Sequence, residues 1–251
     1  MKKLLEVKNL YKELGEESKT VVLKGINLQV ERGEYVVIMG QSGSGKSTLL
    51  YNISGMDKVT SGEVLFEGER ISAFSDEQMS QLRLHKMGFI FQHSYLLKNR
   101  TLKDNVLLPA RKAKKYSSKE ITERGMNLMT SLHIDHVASH TISQVSGGQL
   151  QRAAICRALI NEPSVLFADE PTGALNASAT EEVMNILNMI NQQGTTIVLV
   201  THDARVAARG DRIIYLRDGV IGSTLTLDKY KKGEEQEREE KTNWWLRQQG
   251  F

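Results

Sequence analysis

A glycine-rich stretch, set between two apolar runs, constrains the fold of this chain more than any other feature of its sequence. The β-branched run Tyr35–Met39 precedes it, and Leu49–Ile53, a run that suits a helix, follows it. Strand, glycine loop and helix together form the context of a phosphate-binding P-loop. The loop consists of Gly40, Gln41, Ser42, Gly43, Ser44, Gly45, Lys46, Ser47 and Thr48.

The residue types in this loop predict a site for a nucleoside triphosphate. Glycines allow consecutive backbone N–H groups to turn inward around phosphate oxygens, and the start of the following helix adds further N–H donors. Lys46 would place its charge on the β- and γ-phosphates, and the Ser47 hydroxyl would bind Mg²⁺. A plain glycine-rich surface turn is the alternative, and the flanking strand and helix disfavour it.

The bulk composition excludes several classes of protein. The chain has 251 residues, of which 40% are hydrophobic and 25% charged, as in ordinary soluble globular proteins. Its net charge of +3 is too small, and its basic residues are too scattered, to indicate nucleic acid as a partner. No apolar run approaches the ~20 residues of a membrane helix, and Met1–Val7 lacks the apolar core of a signal peptide. We therefore expect a cytoplasmic protein that meets a membrane only through a partner.

Alternating strand and helix patterns predict an α/β fold with a RecA-like P-loop NTPase core built on a parallel sheet. Leu4–Leu10 and Val21–Val30 indicate an antiparallel β hairpin region, joined by a charged connection at residues 13–17. Helix formers dominate at roughly residues 95–160, which indicates an inserted α-helical subdomain. We expect one domain over residues 1–228, with ligands at the carboxyl ends of its parallel strands. The pattern of buried strands returns at Val165–Ala168, Thr196–Val200 and Arg212–Leu216.

The remaining residues, 229–251, form a charged tail that ends in the only two tryptophans of the chain. Its charged first part is expected to be helical or disordered. Trp244 and Trp245, together with Phe251, are large apolar side chains that bury extensive area when they have a partner. They either pack back onto the domain or contact another protein.

Polar side chains follow three predicted strands, at the edge where a ligand is expected. Asp169 and Glu170 follow one buried run, Gln92 follows another, and His202 stands two residues after a third. Asp169 is placed to hold Mg²⁺, as a Walker B aspartate does, and Glu170 to orient or deprotonate the attacking water. His202 would face the γ-phosphate, and the Gln92 amide would reach Mg²⁺ or the water.

A second cradle opens the predicted helix Leu150–Ile160, and it consists of Ser146, Gly147, Gly148 and Gln149. A serine cap followed by two glycines creates another anion-binding helix start. One triphosphate needs a single cradle, so the second one is explained if it closes over a nucleotide held by another copy. The sequence thus predicts a head-to-tail pair of chains.

Taken in order, these motifs resemble the nucleotide-binding subunit of ABC transporters. The phrases Gly88–Gln92 and Ala168–Leu175 resemble one branch of that superfamily, which contains the LolD, MacB and FtsE proteins and the BceA-type ATPases. The matching elements are the Walker A loop Gly40–Thr48, the Q-loop residue Gln92, the signature Val145–Gln149, Walker B with Glu170, and the H-loop residue His202.

The resemblance implies an ATPase that uses ATP and Mg²⁺ and forms a homodimer in its ATP-bound state. Residues Ser146–Gln149 of one chain would cap the ATP in the P-loop of the other. Two integral membrane permease subunits would hold the dimer on the inner face of the cell membrane, with His93–Asn105 receiving a permease helix. The branch implies export, extraction or resistance to antimicrobial peptides. An FtsE-like role in transmitting force and an importer ATPase are the alternatives.

Three positions depart from the pattern of this family. Val145 replaces the usual leucine of the signature, and Asn176 stands where the D-loop usually has aspartate. The aromatic residue that stacks on adenine aligns with Leu14, and Tyr11 lies three residues earlier. We therefore expect adenine to be held weakly, or by Tyr11 or an aliphatic surface.

Rival classes of nucleotide-binding protein lack parts of this pattern. A GTPase would carry an Asn-Lys-x-Asp motif that reads the base, and the sequence has none. A small-molecule kinase would lack the cradle Ser146–Gln149. Translation ATPases of the same superfamily carry two such domains, and the DNA-repair type carries a long coiled coil. The sequence therefore favours a transport or force-transmitting ATPase.

Overall fold

The computed structural model describes residues 2–15 and 18–250. The chain divides into two compact units, one made of residues 1–79 and 191–251 and the other of residues 80–190. The predicted domain of residues 1–228 and the helical subdomain follow other boundaries, and both stay predictions.

An antiparallel sheet forms one part of the first unit. Its strands are β1 (Lys3–Leu14), β2 (Thr20–Glu31), β4 (Ser61–Phe66) and β5 (Glu69–Arg70), in the order β2-β1-β4-β5. Strand β1 pairs antiparallel with β2 and with β4, which confirms the predicted hairpin region. The predicted connection at residues 13–17 includes Glu16 and Glu17, which lie outside the described residues.

The strand that leads into the P-loop, β3 (Tyr35–Met39), lies between β8 (Thr196–Val200) and β9 (Arg212–Arg217) and runs parallel to both. A further strand, β10 (Val220–Thr226), pairs antiparallel with β9. Every residue of β3 and β8 is buried. The apolar character of both faces of these strands is thereby explained, because a covered parallel sheet has no face toward water.

The described part of the first unit also contains the α-helices α1 (Lys46–Ile53), α7 (Ala204–Ala207) and α8 (Glu235–Gln248). Helix α8 lies in the predicted tail, where helix or disorder was expected. The Trp245 ring is 8% exposed and meets the Tyr215 ring edge-on, with 6.3 Å between ring centroids. Trp244 is 64% exposed, so Trp245 packs back onto the domain, while the contact of Trp244 with another protein stays a prediction. Phe251 lies outside the described residues.

The second unit contains a parallel strand pair and a group of helices. The elements are β6 (Met87–Phe91), α3 (Leu102–Ala113), α4 (Ser118–Ser131), α5 (Gly147–Leu159) and β7 (Val165–Asp169). Each of these three helices begins at a side-chain cap, because Thr101, Ser117 and Ser146 accept backbone N–H bonds in the first turns of α3, α4 and α5. Two more helices, α2 (Asp76–Lys86) and α6 (Ala177–Gln192), extend past the ends of this unit along the chain. Within the described ranges, no helix has the length and apolar character needed to cross a membrane.

Candidate nucleotide site

The P-loop lies between the end of β3 and the start of α1, as the sequence predicts. Gly40, Gly43 and Gly45 have φ values of 156°, 79° and 99°. A Cβ atom on Gly40 would lie 2.1 Å from the carbonyl oxygen of Leu216, which is backbone and cannot swing away. Glycine is therefore required at the start of the loop by a close approach as well as by its conformation.

Lys46 is held against the loop that it is predicted to serve. Its Nζ atom donates hydrogen bonds to the carbonyl oxygens of Gly40, at 2.9 Å, and Gln41, at 3.0 Å. Lys46 is also the first residue of α1, where backbone N–H groups have no partner within the helix. Positive charge and N–H donors therefore meet at one point, which suits the phosphates of a nucleotide.

The strand register places His202 at the same sheet edge as the P-loop. Ile38 of β3 pairs with Val200 of β8, and the N–H group of Thr201 donates to the Ile38 carbonyl at 3.2 Å. Gly40 and His202 each stand two residues beyond that pair. His202 is exposed there. The first unit thus brings His202 and the P-loop to one edge.

The segment after His202 is fixed by a local cap. The Asp203 side chain accepts a hydrogen bond from the backbone N–H of Arg205, and the two side chains form an ion pair at 2.8 Å. Burial opposes the ionisation of Asp203, but the bonds from Arg205 outweigh it and hold the Asp203 pKa below its usual value. The carboxylate therefore stays charged and keeps α7 capped at neutral pH.

The second unit aligns the other two predicted strand ends in the same way. Phe91 of β6 pairs with Asp169 of β7, so Gln92 and Glu170 are each the next residue along the chain. Glu170 has φ of 47°, a left-handed conformation that costs a non-glycine residue on the order of 1 kcal/mol. The surrounding structure therefore holds the Glu170 backbone in a conformation that a residue with a side chain disfavours.

A buried glutamine that the sequence interpretation missed ties these strand ends to α5. The Gln151 side chain is 3% exposed and donates to the carbonyl oxygens of Phe91, at 3.0 Å, and Pro171, at 2.7 Å. A Cβ atom on Gly173 would lie 3.0 Å from Nε2 of Gln92, so that loop also approaches closely. Gln151 therefore links the residues next to Gln92 and Glu170 to the helix that carries the signature.

The second cradle has the cap that the sequence predicts. The Ser146 hydroxyl accepts from the N–H of Gln149 at 3.3 Å, and the Gln149 side chain accepts from the N–H of Ser146 at 2.9 Å. This reciprocal pair is a capping box. Both side chains are used in ordering the helix start, so the backbone N–H groups at Gly147 and Gly148 are the donors available to an anion.

The Asn176 position, where the resemblance leads one to expect aspartate, serves as a helix cap. Its Oδ1 atom accepts from the backbone N–H of Ala179 at 2.9 Å, at the start of α6. Asparagine and aspartate cap helices about equally well. The substitution therefore keeps the local fold and removes only a negative charge.

Tyr11 and Leu14, the two candidates for an adenine contact, both lie on β1 with exposed side chains, at 37% and 46%. The Tyr11 hydroxyl lies close to Gly25 of β2, because a Cβ atom on Gly25 would be 3.0 Å from the hydroxyl oxygen. Part of the Tyr11 side chain therefore remains exposed, and an exposed aromatic residue can stack on a base.

We expect Tyr11→Ala to raise the KM for ATP about fivefold, because a stacked aromatic contact contributes about 1 kcal/mol. Steady-state hydrolysis as a function of ATP concentration measures the change, and Leu14→Ala is the matched control on the same strand. Unchanged ATP affinity in Tyr11→Ala would show that the tyrosine has no such role.

Comparison with known proteins gives one consistent family. A family model described as ABC transporter matches residues 23–173. A macrolide export ATP-binding/permease protein, MacB, from Pasteurella multocida is 43% identical over 219 residues, which cover 87% of this chain and 34% of the relative. The chain therefore spans about a third of the length of the macrolide-export relatives.

Two further relatives are matched over most of their own length. The lipoprotein-releasing system ATP-binding protein LolD from Aquifex aeolicus is 44% identical over 82% of this chain and 91% of the relative. The bacitracin export ATP-binding protein BceA from Halalkalibacterium halodurans is 41% identical over 88% of each. Among solved structures, a dimeric ATP-binding cassette in a post-hydrolysis state with ADP and Pi has a TM-score of 0.84 and 38% identity, and covers 90% of this chain.

Proposed function

Because this chain belongs to the ABC transporter family, we propose that it is the ATP-hydrolysing subunit of a membrane exporter. The family match and the solved cassette confirm the α/β P-loop fold and the ATP-binding ATPase predicted from the sequence. One observation carries the export part of the proposal. The relatives that the chain covers for 91% and 88% of their own length are named for lipoprotein release and bacitracin export.

The proposed roles of the site residues follow from their chemistry. Backbone N–H groups of the P-loop and the charge of Lys46 bind the phosphates, because phosphoryl transfer needs positioning and charge stabilisation above all. Glu170 orients or deprotonates the attacking water, and Gln92 assists that water. His202 donates to the γ-phosphate, at the edge where the register places it beside the P-loop.

The predicted metal ligands fit Mg²⁺. This ion binds oxygen atoms, and Ser47, Gln92 and Asp169 offer a hydroxyl, an amide and a carboxylate oxygen. Phosphate oxygens of the nucleotide would complete the ligand set. Bound there, Mg²⁺ would neutralise the charge that the phosphates carry during transfer.

The proposed subunit acts as a head-to-tail homodimer. Support comes from the two helix starts of α1 and α5, since one triphosphate needs only one of them. Solved neighbours of this chain are also described as dimeric. In this arrangement Ser146–Gln149 of each chain caps the ATP held by the other, so that ATP binding closes the dimer and hydrolysis reopens it.

The proposed permease partner would bind the segment His93–Asn105. This segment exposes two large apolar side chains, Tyr95 at 67% and Leu97 at 50%. Exposed large apolar side chains that recur within a few residues favour a site of protein contact. Binding there would hold the chain on the inner face of the membrane. An FtsE-like transmission of force and import into the cell are the alternatives that the same cassette would serve.

Purification of the tagged chain from detergent-solubilised native membranes tests this proposal. We expect an integral membrane permease to co-purify, and the double substitution of Tyr95 and Leu97 by alanine to reduce its recovery at least fivefold, because two exposed apolar anchors are lost. Leu108→Ala is the control, since Leu108 is 46% exposed outside that segment. Recovery of the chain without any membrane protein would contradict the exporter assignment.

A further inference from the structure

Helix α8 contacts both segments of the first unit that lead to nucleotide-binding residues. We propose that α8 is a brace for the nucleotide site, in which Arg238 positions the segment after His202, and Gln249 with Gly250 positions the Walker A loop. The inference rests on the ATPase function and adds residues outside every motif described above. It is carried by two contacts of α8 and one contact of the residues that follow it.

The first contact is made by Arg238, which is 5% exposed. Its guanidinium donates to the carbonyl oxygens of Ala208, at 2.8 Å, Gly210, at 2.6 Å, and Leu227, at 2.6 Å. Ala208 and Gly210 come directly after α7, the short helix that follows His202. A guanidinium holds several acceptors in a fixed planar geometry. Arg238 therefore fixes the far end of α7, while Asp203 caps its beginning.

The segment held by Arg238 also packs on the P-loop strand. A Cβ atom on Gly210 would lie 2.6 Å from the Val37 side chain of β3. The N–H group of Asp211 donates to the carbonyl of Tyr35 at 2.8 Å, and the Asp211 carboxylate accepts from the Tyr35 N–H at 2.8 Å. Because the segment held by Arg238 is in close contact with β3, a shift of α8 would also shift the strand that leads into the P-loop.

The second contact is the edge-on packing of Trp245 on Tyr215. Tyr215 pairs in the sheet with Met39, the residue immediately before the P-loop. The next carbonyl along β9, that of Leu216, is the one that excludes a side chain at Gly40. Trp245 thus supports the strand on which the P-loop begins.

The third contact lies in the residues that follow α8. The Gln249 side chain accepts from the Ser223 hydroxyl at 2.8 Å. The Gly250 carbonyl then accepts from the side-chain amide of Gln41, a residue of the Walker A loop, at 3.4 Å. The chain therefore reaches back to the loop itself.

The start of α8 is fixed as well. The Tyr230 hydroxyl donates to Glu235 and accepts from Arg209 at 2.6 Å. The bond from Tyr230 lowers the pKa of Glu235 to about 2, so this carboxylate remains charged across the physiological range. A helix held at both ends and at its middle can act as a brace, because it moves only as a unit.

Kinetics of two variants test the brace. We expect Arg238→Ala to lower kcat about fivefold and to leave KM for ATP unchanged, since the His202 segment acts on the γ-phosphate during transfer. We expect Gln249→Ala to show the opposite pattern, with KM raised about twofold and kcat unchanged. This substitution removes the bond to Ser223 that holds the residues in contact with the Walker A loop. Arg238→Lys should restore part of kcat. Arg247→Ala, an exposed position on α8, is the control that should change neither.

The two tryptophans supply a readout that a merely structural role would not change. In a Trp244→Phe background, Trp245 is the only tryptophan and lies at the brace. We expect the fluorescence emission of Trp245 to change as ATP is added, with a midpoint near the KM for ATP. Arg238→Ala should abolish this change, measured at a temperature where circular dichroism shows that the variant is folded. A folded Arg238→Ala protein with wild-type kinetics and an unchanged emission response would overturn the inference.

Other outcomes are also decisive. If Arg238→Ala does not fold, Gln249→Ala and the Trp245 titration decide, and an unchanged KM together with an emission that ignores ATP would overturn the brace. A wild-type chain that binds ATP, changes its Trp245 emission and hydrolyses none would overturn the ATPase function while it supports the link between α8 and the nucleotide. The two failures are therefore distinguishable.

Discussion

Glu170→Gln is expected to lower the steady-state rate of ATP hydrolysis about 100- to 1000-fold, because it removes the side chain that we propose as the general base. Binding of ATP should stay within about twofold of wild type, since the phosphate contacts assigned to the P-loop are retained. Phosphate release measures the first quantity, and equilibrium binding of a labelled ATP measures the second.

Substitution by glutamine separates the effect of losing the carboxylate from the effect of the left-handed backbone conformation at position 170. Glu170 has φ of 47°, and glutamine has the same shape and the same difficulty in that conformation. Glu162 supplies a matched control, because it also has a positive φ, of 54°, and is exposed before the start of β7, whereas Glu170 follows the carboxyl end of that strand. Glu162→Gln should hydrolyse ATP at the wild-type rate.

The same variant should accumulate as a closed dimer. When hydrolysis is blocked, ATP that has drawn two chains together stays bound, and the dimer is not reopened. A sizing column run with ATP and Mg²⁺ should show mostly dimer for Glu170→Gln and mostly monomer without nucleotide. Equal monomer fractions under the two conditions would contradict the proposed cycle.

The parts of this site that could be predicted from the sequence are those set by short-range patterns. The P-loop, its strand and its helix occupy one continuous stretch, and the cap formed by Ser146 and Gln149 spans four residues. Strand ends were recognisable because the apolar runs of β6, β7 and β8 are followed at once by polar residues. In these short stretches, the residues that indicate a chemical role also indicate the strand or helix on which they lie.

The parts that could not be predicted depend on residues far apart in the chain. Gln149 and Gln151 look alike in the sequence, yet Gln151 is the one buried, with bonds to residues 60 and 20 positions away. Arg238 lies in a run of charges typical of a solvated face, and its partners are 11 to 30 positions away. Strand β10 alternates exposed and half-buried residues and has no apolar run to mark it.

Mixing two inactive variants should restore ATP hydrolysis, if each chain completes the site of the other. Lys46→Ala removes the phosphate contact of the P-loop. Gly147→Asp places a negative charge at the second cradle and still suits a helix start, where a Cβ atom would have only an ordinary contact with Leu175 at 3.6 Å. Each variant alone is expected to lose at least 100-fold in rate, because every site of its dimer lacks one electrostatic contribution to transfer.

In a one-to-one mixture, half of the dimers contain one chain of each kind, and each of these has one intact site. That site combines the P-loop of the Gly147→Asp chain with the cradle of the Lys46→Ala chain. Activity should therefore recover to about a quarter of the wild-type rate if the two sites work independently. Lys46→Ala mixed with Glu170→Gln is the control, because both residues are proposed to serve the same nucleotide, and no combination of these chains restores a complete site. No recovery in the test mixture would mean that the second cradle acts within its own chain, and the head-to-tail pair would be wrong. Recovery in the control would mean that Lys46 and Glu170 of one chain do not serve the same nucleotide.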